Sequence, residues 1–449
     1  MKIHFIGIGG IGVSALARYY LSKGYEVSGS DLFPSEITDN LKEKGVKLFI
    51  GRHQAKNMPE KADLAIYSPA VTADNPEFKE AGKKGIKLQS YPQALGELTK
   101  QYFTIAVSGT HGKSTTASML GLLLAKAGLN PTVIVGTKLK EFGNSNCRPG
   151  GSQYLVIEAD EHFASFLNYW PKIIVLTSIE ADHLDYYKNL KNILKTFQKY
   201  LKRLPKNGAI VANKDDKNTC RILAGRESTP FKKYWYQLKQ KEAVKLKKIL
   251  KIPGEHNVAN ALAALTTARI LKIPDKVSFQ ALAAYQGSWR RFETKQLRIG
   301  SGRRLTIISD YGHHPTEVKA TLKAAREKYP KKKIWCVYQP HQYQRTYYLF
   351  KDFVKVFNQV PLDKTIITDI YDVAGREEKN IKKKVNAEKL AAAVKNEKTV
   401  YLPTRQILNH LEKNLDSFDV LIIMGAGDIY RLADSFAGLT KKRNKKKIQ

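Results

Sequence analysis

The chain has 449 residues, 43% of them hydrophobic and 26% charged, and this globular composition excludes a disordered or collagen-like protein. At about 150 residues per domain, the length predicts roughly three domains. The three cysteines, Cys147, Cys220 and Cys336, are far apart in sequence, which argues against a disulfide framework or a structural zinc site. The first strand begins at the N-terminus, and no apolar run approaches the ~20 residues that span a bilayer. We therefore expect a cytoplasmic protein without membrane insertion.

The formal net charge of +35 bears on partners and solubility, not on fold. The basic residues are spread along the chain, and the one dense block is the basic tail at residues 441–449, for which we expect disorder. No zinc finger and no aromatic-plus-basic RNA motif accompanies the charge. Nucleic-acid binding is therefore only a distant alternative, and a basic surface would also suit a polyanionic small substrate.

Short β-branched runs alternate with helical stretches along the whole chain. The runs begin at Ile3, Leu64, Thr104, Tyr154, Ile173, Thr306, Ile334, Thr365 and Val420. Runs that are apolar on both faces are typical of buried parallel strands joined by crossover helices. The pattern predicts the α/β fold class with several doubly wound sheets. Punctuated regions near Thr99 and near Glu293 predict three domains, at residues 1–99, 100–296 and 297–449.

The first predicted strand leads into the glycine-rich turn Gly7-Ile-Gly-Gly-Ile-Gly12, which opens a helical stretch. Gly7, Gly9 and Gly12 fit the pattern G-x-G-x-x-G, which lets a backbone approach a pyrophosphate at a helix N-terminus. Asp31 follows about 20 residues later, where a carboxylate can hold a ribose hydroxyl. Taken alone, this loop predicts an NAD-dependent oxidoreductase, or glycines that serve only the packing of strand against helix.

A second strand–loop–helix unit carries the sequence Gly109-Thr-His-Gly-Lys-Ser114. Its last three residues match the end of a Walker A loop, in which the lysine neutralises phosphates and the hydroxyl ligates Mg²⁺. Val107 stands where the generic motif has its first glycine, which weakens the match. Two phosphate loops predict two phosphorylated ligands, and this favours ATP-driven chemistry on a nucleotide-linked substrate over a simple dehydrogenase.

Polar residues follow two further strands of the central region, at the carboxyl ends where open α/β sheets bind ligands. Glu158 follows the strand that begins at Tyr154, and His183 follows the strand that begins at Ile173. Both are candidates for binding Mg²⁺ beside the second loop, and His183 could instead contact a transferring phosphoryl group. Solvation at the surface is the alternative for the acid, and a structural role is the alternative for the histidine.

Other candidates lie in the second half of the chain. Asn257 and Asn260 would share one face of a helix and could read a base edge, although helix capping explains Asn257 equally well. One arginine of the pair Arg290-Arg291, at the second domain boundary, could reach a phosphoryl group, and an ordinary surface pair is the alternative. Arg345 follows the strand that begins at Ile334 and supplies a cation suited to a carboxylate.

In this order the motifs resemble those of the Mur ligase family of peptidoglycan synthesis, and within it the branch that joins L-alanine to UDP-N-acetylmuramate. The resemblance covers nearly the whole chain, from Gly7 to Asp428. It implies a Rossmann-like N-terminal domain, a central P-loop ATPase-like domain with a parallel or mixed sheet, and a Rossmann-like C-terminal domain that admits the amino acid. It also implies that the first loop binds the diphosphate of a UDP-sugar and not NAD.

The resemblance assigns roles by motif position. The residues of the UDP-sugar site are Gly9, Gly10, Ile11, Gly12 and Asp31. The residues of the ATP site are Gly109, Thr110, His111, Gly112, Lys113, Ser114, Thr115, Asn257, Asn260, Arg291 and Asp310. The metal ligands are Ser114, Glu158 and His183, and the catalytic residues are Lys113, His183 and Arg291. The residues nearest the incoming amino acid are His341 and Arg345.

The implied reaction is the ATP-dependent ligation of L-alanine to the lactyl carboxylate of UDP-N-acetylmuramate through an acyl phosphate, with Mg²⁺ as cofactor. His162-Phe163 and Gln342 stand where relatives usually carry other residues, which leaves the choice of amino acid open. The first alternative is a ligase that recycles a murein tripeptide onto the same muramate. The distant alternatives are an NAD-dependent oxidoreductase and a nucleic-acid-binding protein.

Overall fold

Three β-sheets flanked by helices organise the part of the chain that the structure describes. This computed structural model describes residues 1–224, 230–299, 303–373, 377–378 and 380–446, with backbone only for residues 439–446. The chain divides into two compact units. The first unit comprises Met1–Glu180, Ile193–Ile249 and Ala259–Tyr285, and the second comprises Ala181–Asn192, Leu250–Val258 and Gln286–Gln449.

The first sheet is fully parallel, with the strand order β3-β2-β1-β4-β5. Its strands are β1 (Lys2–Ile6), β2 (Glu26–Asp31), β3 (Lys47–Ile50), β4 (Leu64–Tyr67) and β5 (Lys87–Ser90). Its helices are α1 (Ile11–Ser22), α2 (Glu36–Glu43), α3 (Pro76–Lys83) and α4 (Tyr91–Lys100). The strand order reverses between β1 and β4, so the glycine-rich turn after β1 lies at the switch point where such sheets bind ligands.

The second sheet is mixed, with the strand order β12-β11-β10-β6-β9-β7-β8 and one antiparallel pair, β7 with β8. Its strands are β6 (Phe103–Ser108), β7 (Thr132–Leu139), β8 (Ser145–Arg148), β9 (Tyr154–Glu158), β10 (Ile173–Leu176), β11 (Ala209–Asn213) and β12 (Lys232–Tyr236). The helices of this stretch are α5 (Lys113–Lys126), α6 (Leu184–Tyr187), α7 (Leu190–Leu201), α8 (Lys217–Leu223), α9 (Lys241–Ile249), α10 (Glu255–Ile270) and α11 (Asp275–Ala284). Strand β6 pairs with β9 and β10 in parallel, so the carboxyl ends of these strands meet at one edge.

The third sheet has the strand order β13-β14-β18-β15-β16-β17, and its one antiparallel pair is β13 with β14. Its strands are β13 (Glu293–Ile299), β14 (Arg303–Asp310), β15 (Ile334–Tyr338), β16 (Lys364–Ile367), β17 (Thr399–Tyr401) and β18 (Val420–Met424). Its helices are α12 (Pro315–Lys328), α13 (Tyr343–Tyr348), α14 (Phe350–Gln359), α15 (Ile381–Lys384), α16 (Ala387–Ala393), α17 (Thr404–Lys413) and α18 (Tyr430–Lys446). Both faces of the sheet are covered by apolar clusters, one around Phe353 and one around Trp335, as a parallel sheet requires.

The predicted α/β fold class is confirmed, whereas the domain limits at residues 99 and 296 stay predictions. The limit at residue 296 falls inside β13, because the chain from Glu293 already pairs with β14. The tail differs from the expected disorder. Its backbone is helical as far as Lys446 because α18 continues beyond its buried anchor Phe436, and residues 447–449 lie outside the described residues. Among the described residues, no helix has the length and apolar character needed to cross a bilayer.

Candidate active site

The first glycine-rich turn forms a tight strand-to-helix connection in the first unit. Gly7 adopts a positive φ of 78°, and Gly10 then occupies the N-cap of α1. A Cβ on Gly12 would lie 2.9 Å from the ring of Tyr91, so the close contact with that ring requires glycine. The turn presents the amide groups at the N-terminus of α1, which is a favourable place for an anion.

Side chains from other parts of the first unit fix the shape of this turn. The Gly9 amide donates to the Asp31 carboxylate at 2.8 Å, so Asp31 lies against the loop and is bonded to it, whereas its predicted bond to a ribose hydroxyl stays a prediction. The Ile11 carbonyl accepts from Asn146 Nδ2 at 2.5 Å and from Ser14 Oγ at 3.0 Å. The sequence pointed to no role for Asn146, because it is a single polar residue in a short strand with no motif around it.

The second glycine-rich loop connects β6 to α5 in the same unit. Gly109 and Gly112 have φ values of 129° and 80°, which favour glycine. A Cβ on Gly109 would lie 2.2 Å from Thr177 Oγ1, and one on Gly112 would lie 2.4 Å from Asn260 Oδ1. The fold therefore brings Asn260 directly against the loop that the sequence assigned to phosphate binding.

Residues Thr110 and His111 attach the loop to the segment that follows β10. The Thr110 amide donates to the Ser178 carbonyl at 2.7 Å, and Thr110 Oγ1 accepts the amide of Glu180 at 2.9 Å. The His111 ring lies 3.5 Å from the Glu180 carboxylate. These bonds hold the loop in one conformation without using the amides at the start of α5.

The Lys113 ammonium lies at the start of α5 and is nearly buried. It donates to the carbonyls of Gly109 at 2.8 Å and Thr110 at 3.3 Å, and to the Glu161 carboxylate at 2.8 Å. The Asp160 carboxylate is 3.7 Å away. Burial alone would lower the pKa of Lys113, but these carboxylates raise it above its ordinary value, so the side chain is a permanent cation. The sequence assigned no role to Asp160 or Glu161.

The Ser114 hydroxyl and the Glu158 carboxylate lie side by side. Ser114 Oγ donates to Glu158 Oε1 at 2.9 Å, and the Gly136 amide donates to Glu158 Oε2 at 2.8 Å. Gly136 has no room for a side chain, because a Cβ there would lie 2.8 Å from Glu158 Oε2. Thr115 is buried in the same helical turn. A hydroxyl beside an oriented carboxylate is a ligand pair that suits Mg²⁺.

The second unit contains a small cavity, partly open to solvent, that is lined by His183 and Arg345 among other residues. His183 has a positive φ of 51° and precedes α6, and Arg345 lies on α13. Between them lies Asp182, whose carboxylate is 3.0 Å from Arg345 Nη2. The structure thus brings together two predicted residues, and it adds Asp182, which the sequence placed in a motif without assigning it a role.

His341 lies beside Arg345. Its ring stacks on Tyr371 with centroids 5.5 Å apart and an interplanar angle of 8°, and its Nδ1 is 3.1 Å from Arg345 Nη1. The His313 ring is 5.8 Å away, and mainly burial lowers the pKa of His313 to about 3. Gln342 also borders the cavity, with a positive φ of 70°. Both predicted amino-acid-binding residues are therefore neighbours.

Two further predicted residues, Asp310 and Arg291, contact neighbouring residues of the second unit. Asp310 accepts the amides of Phe292 at 2.7 Å and Gly312 at 2.8 Å, and burial raises its pKa although the Arg291 charge lowers it. The Arg291 guanidinium lies 4.8 Å from the ring centroid of Tyr311.

Asn257 does not cap a helix. It lies in the first turn of α10, which begins at Glu255, and its Nδ2 donates to the Pro253 carbonyl at 2.6 Å. The alternative that Asn257 is an N-cap is therefore wrong. A role for its amide in contacting a base stays a prediction.

Comparison with known proteins identifies the family. Three consecutive family descriptions match the chain: the Mur ligase family catalytic domain at residues 2–103, the Mur ligase middle domain at 107–268, and the Mur ligase glutamate ligase domain at 290–427. The chain belongs to the Mur ligase family. Among its Mur ligase relatives, a UDP-N-acetylmuramate–L-alanine ligase of Acetivibrio thermocellus is 40% identical over 97% of this chain and 95% of its own length. Its counterpart in Clostridium acetobutylicum is 39% identical over 97% of both chains.

Solved Mur ligase structures share the fold. The UDP-N-acetylmuramate-alanine ligase MurC of Thermotoga maritima superposes with a TM-score of 0.79 and 27% identity, covering 98% of this chain and 99% of that one. A murein peptide ligase of Psychrobacter arcticus superposes with a TM-score of 0.72 over 98% of both chains. At 22% identity, the second comparison speaks to the fold alone.

Proposed function

We propose that the chain uses ATP to ligate L-alanine to the lactyl carboxylate of UDP-N-acetylmuramate. The observation that carries the proposal is the pair of anion-binding loops in the first unit, one closed by Asp31 and one containing Lys113. A sugar nucleotide and a triphosphate both need such a loop. The similarity to L-alanine ligases over 97% of the chain supports alanine as the acceptor amine.

The first chemical step transfers a phosphoryl group. A lactyl carboxylate oxygen attacks the γ-phosphorus of ATP, the bond from phosphorus to the bridging oxygen breaks, and ADP leaves with that electron pair. Negative charge develops on the transferring oxygens, and cations in fixed positions stabilise it. Lys113 supplies this charge from the loop, and its raised pKa keeps it protonated at neutral pH. We assign Arg291 to the γ-phosphate as well.

The second step forms the amide. The amine of L-alanine, after losing a proton, attacks the acyl carbon, and the tetrahedral intermediate expels inorganic phosphate. The acyl phosphate is labile in water, so exclusion of water from the site is part of the mechanism. We place the amino acid beside His341 and Arg345 in the cavity of the second unit, where a cation can meet its carboxylate.

The nucleotide and sugar-nucleotide contacts follow from the loops. The amides at the start of α5, from Gly112 to Thr115, would surround the ATP phosphates, and Asn260 lies against Gly112 in the same loop. Asn257 would contact the adenine and Asp310 the ATP ribose. The amides of Ile11 and Gly12, just after the N-cap Gly10, would receive the diphosphate of the UDP-sugar, while Asp31 orders the loop by accepting the Gly9 amide.

The ligand pair Ser114 and Glu158 fits a divalent cation, and we propose that these two residues hold Mg²⁺. A metal-binding role for His183, which belongs to the second unit, stays a prediction. When bound, Mg²⁺ neutralises the charge of the phosphate oxygens and orients them. The Glu158 carboxylate is held in place by the Gly136 amide.

Phosphate release from ATP, measured with UDP-N-acetylmuramate and a panel of amines, tests the proposal. We expect release that requires both the muramate and L-alanine, and none with the muramate and a murein tripeptide. Lys113→Ala should abolish release, whereas Lys126→Ala, at the exposed end of the same helix, should retain it. Release driven by the tripeptide would favour the recycling ligase, and nicotinamide binding at the first loop would favour an oxidoreductase.

A further inference from the structure

Asp182 and Arg345 form a buried, two-point ion pair within the second unit. Arg345 Nε and Nη2 both donate to Asp182 Oδ1, at 3.1 and 3.0 Å. The two side chains are only 6% and 8% exposed, so water competes weakly for these bonds. Burial alone would raise the pKa of Asp182, but the charge of Arg345 above all holds it well below its ordinary value. Both partners are therefore charged, and each fixes the other.

The opposite side of the guanidinium contacts His341. Arg345 Nη1 donates to His341 Nδ1 at 3.1 Å and to the His341 carbonyl at 3.4 Å. A guanidinium has only donors, so Nδ1 must be the acceptor, and this assigns the ring proton to Nε2. The four bonds to Asp182 and His341 use four of the five guanidinium hydrogens. The fifth, on Nη2, remains for a ligand in the cavity that Arg345 lines.

Asp182 also contacts His183, the next residue in the sequence. Its Oδ1 accepts the amide of His183 at 2.7 Å, and its Oδ2 lies 3.8 Å from His183 Nε2. One carboxylate therefore connects the turn that carries His183 with α13, which carries Arg345. Both segments line the same cavity.

We propose that Asp182 is a positioning residue that fixes Arg345, and through Arg345 His341, for the carboxylate of the incoming amino acid. This inference rests on the proposed function, because it assumes that the amino acid enters this cavity. A donor that is already oriented needs no rearrangement when the carboxylate arrives. Without Asp182, the guanidinium would keep only its two bonds to His341 and would be oriented less firmly, so the amino acid would bind more weakly.

Steady-state kinetics on Asp182→Asn, Arg345→Lys and the double variant test this role. Lysine keeps the positive charge but lacks the guanidinium group that donates to Asp182 and His341 at the same time. Each single variant should raise KM for L-alanine at least tenfold and leave KM for UDP-N-acetylmuramate within twofold. KM for L-alanine should rise no more in the double variant than in the more affected single variant, because both changes break the same contact. Asp363→Asn, which weakens the Asp363–Arg326 pair in the same unit, is the matched control and should leave both constants unchanged.

A second readout separates positioning from folding. The chain has ten histidines, and the difference between ¹⁵N-histidine spectra of the wild type and His341→Gln assigns the His341 signals. We expect Nδ1 unprotonated and Nε2 protonated in the wild type, and a mixture of tautomers in Asp182→Asn. If Asp182→Asn does not fold, Asp182→Glu takes its place. It retains the charge and should raise KM for L-alanine by less than the tenfold expected for Asp182→Asn.

The outcomes are distinguishable. A folded Asp182→Asn with KM for L-alanine within threefold of wild type overturns the positioning role, as do single-variant effects that multiply in the double variant. A wild-type protein that shows no alanine-dependent phosphate release overturns the proposed function and this role with it.

Discussion

The substitution Glu77→Gln should destabilise the first sheet markedly, because Glu77 is a fully buried carboxylate that accepts four hydrogen bonds. The donors are His4 at 3.0 Å, Ser30 at 2.6 Å, His53 at 2.8 Å and Asn57 at 2.9 Å. Burial alone would raise the pKa of Glu77, but these bonds lower it from 4.5 to about 2. Glutamine would replace one accepting oxygen with a donor that faces other donors.

The magnitude follows from that pKa difference. At about 1.4 kcal/mol per pH unit, a fall in pKa from 4.5 to about 2 corresponds to about 3 kcal/mol of stability at neutral pH. Because the folded-state pKa of Glu77 is the lower one, this stability is fully present above pH 4.5. It is lost as the pH falls from 4.5 towards 2. A difference of this size would speed amide exchange through opening of this region by a factor on the order of 100.

Native-state hydrogen exchange of the β1 and β2 amides at pH 7 measures the effect on the full-length chain. Glu80→Gln is the matched control, because Glu80 lies on the same helix as Glu77. Its carboxylate is 3.6 Å from Lys84 and takes no part in the hydrogen bonds around Glu77. The control should change exchange less than twofold. The difference in thermal midpoint between wild type and Glu77→Gln should shrink below pH 4.5. Exchange in Glu77→Gln within threefold of wild type would refute the reasoning.

Three further predictions concern the loops and one buried histidine. Gly112→Ala should raise KM for ATP at least tenfold, because the new Cβ would lie 2.4 Å from Asn260 Oδ1; Gly128→Ala, with a similar φ of 78° and no neighbour within 4 Å, should leave KM for ATP unchanged. Glu158→Gln should raise the Mg²⁺ concentration for half-maximal phosphate release at least tenfold, and chelation of divalent cations should abolish release from the wild type; an unchanged Mg²⁺ dependence would contradict the assignment. Burial lowers the pKa of His256 from 6.5 to about 4, so its contribution to stability is present above pH 6.5 and is lost as the pH falls towards 4. Between pH 4 and pH 6.5, the thermal midpoint of His256→Gln should therefore depend less on pH than that of the wild type. Parallel pH profiles of the two proteins would contradict this prediction.

The fold class could be predicted because its cause is local. A buried parallel strand must be apolar on both faces, so runs such as Ile173–Leu176 are legible in the sequence. The two glycine-rich loops could be recognised for a similar reason, since Gly7 and Gly112 adopt positive φ values at a strand-to-helix turn. The helical continuation of the tail was missed, because its basic composition resembles that of a disordered segment, while packing of Phe436 starts the helix upstream.

The amino-acid sequence by itself located several of the buried strands, the two glycine-rich turns, and the order in which the polar motifs follow the strands. Only the tertiary structure decided which side chains meet. Asn146 reaches Ile11, Glu161 reaches Lys113 and Asp182 reaches Arg345 across 135, 48 and 163 residues of chain. No local rule encodes such pairs, because each depends on how distant strands are ordered in a sheet. Backbone geometry at a turn is set by neighbouring residues, whereas the partner of a buried charge is set by the whole fold.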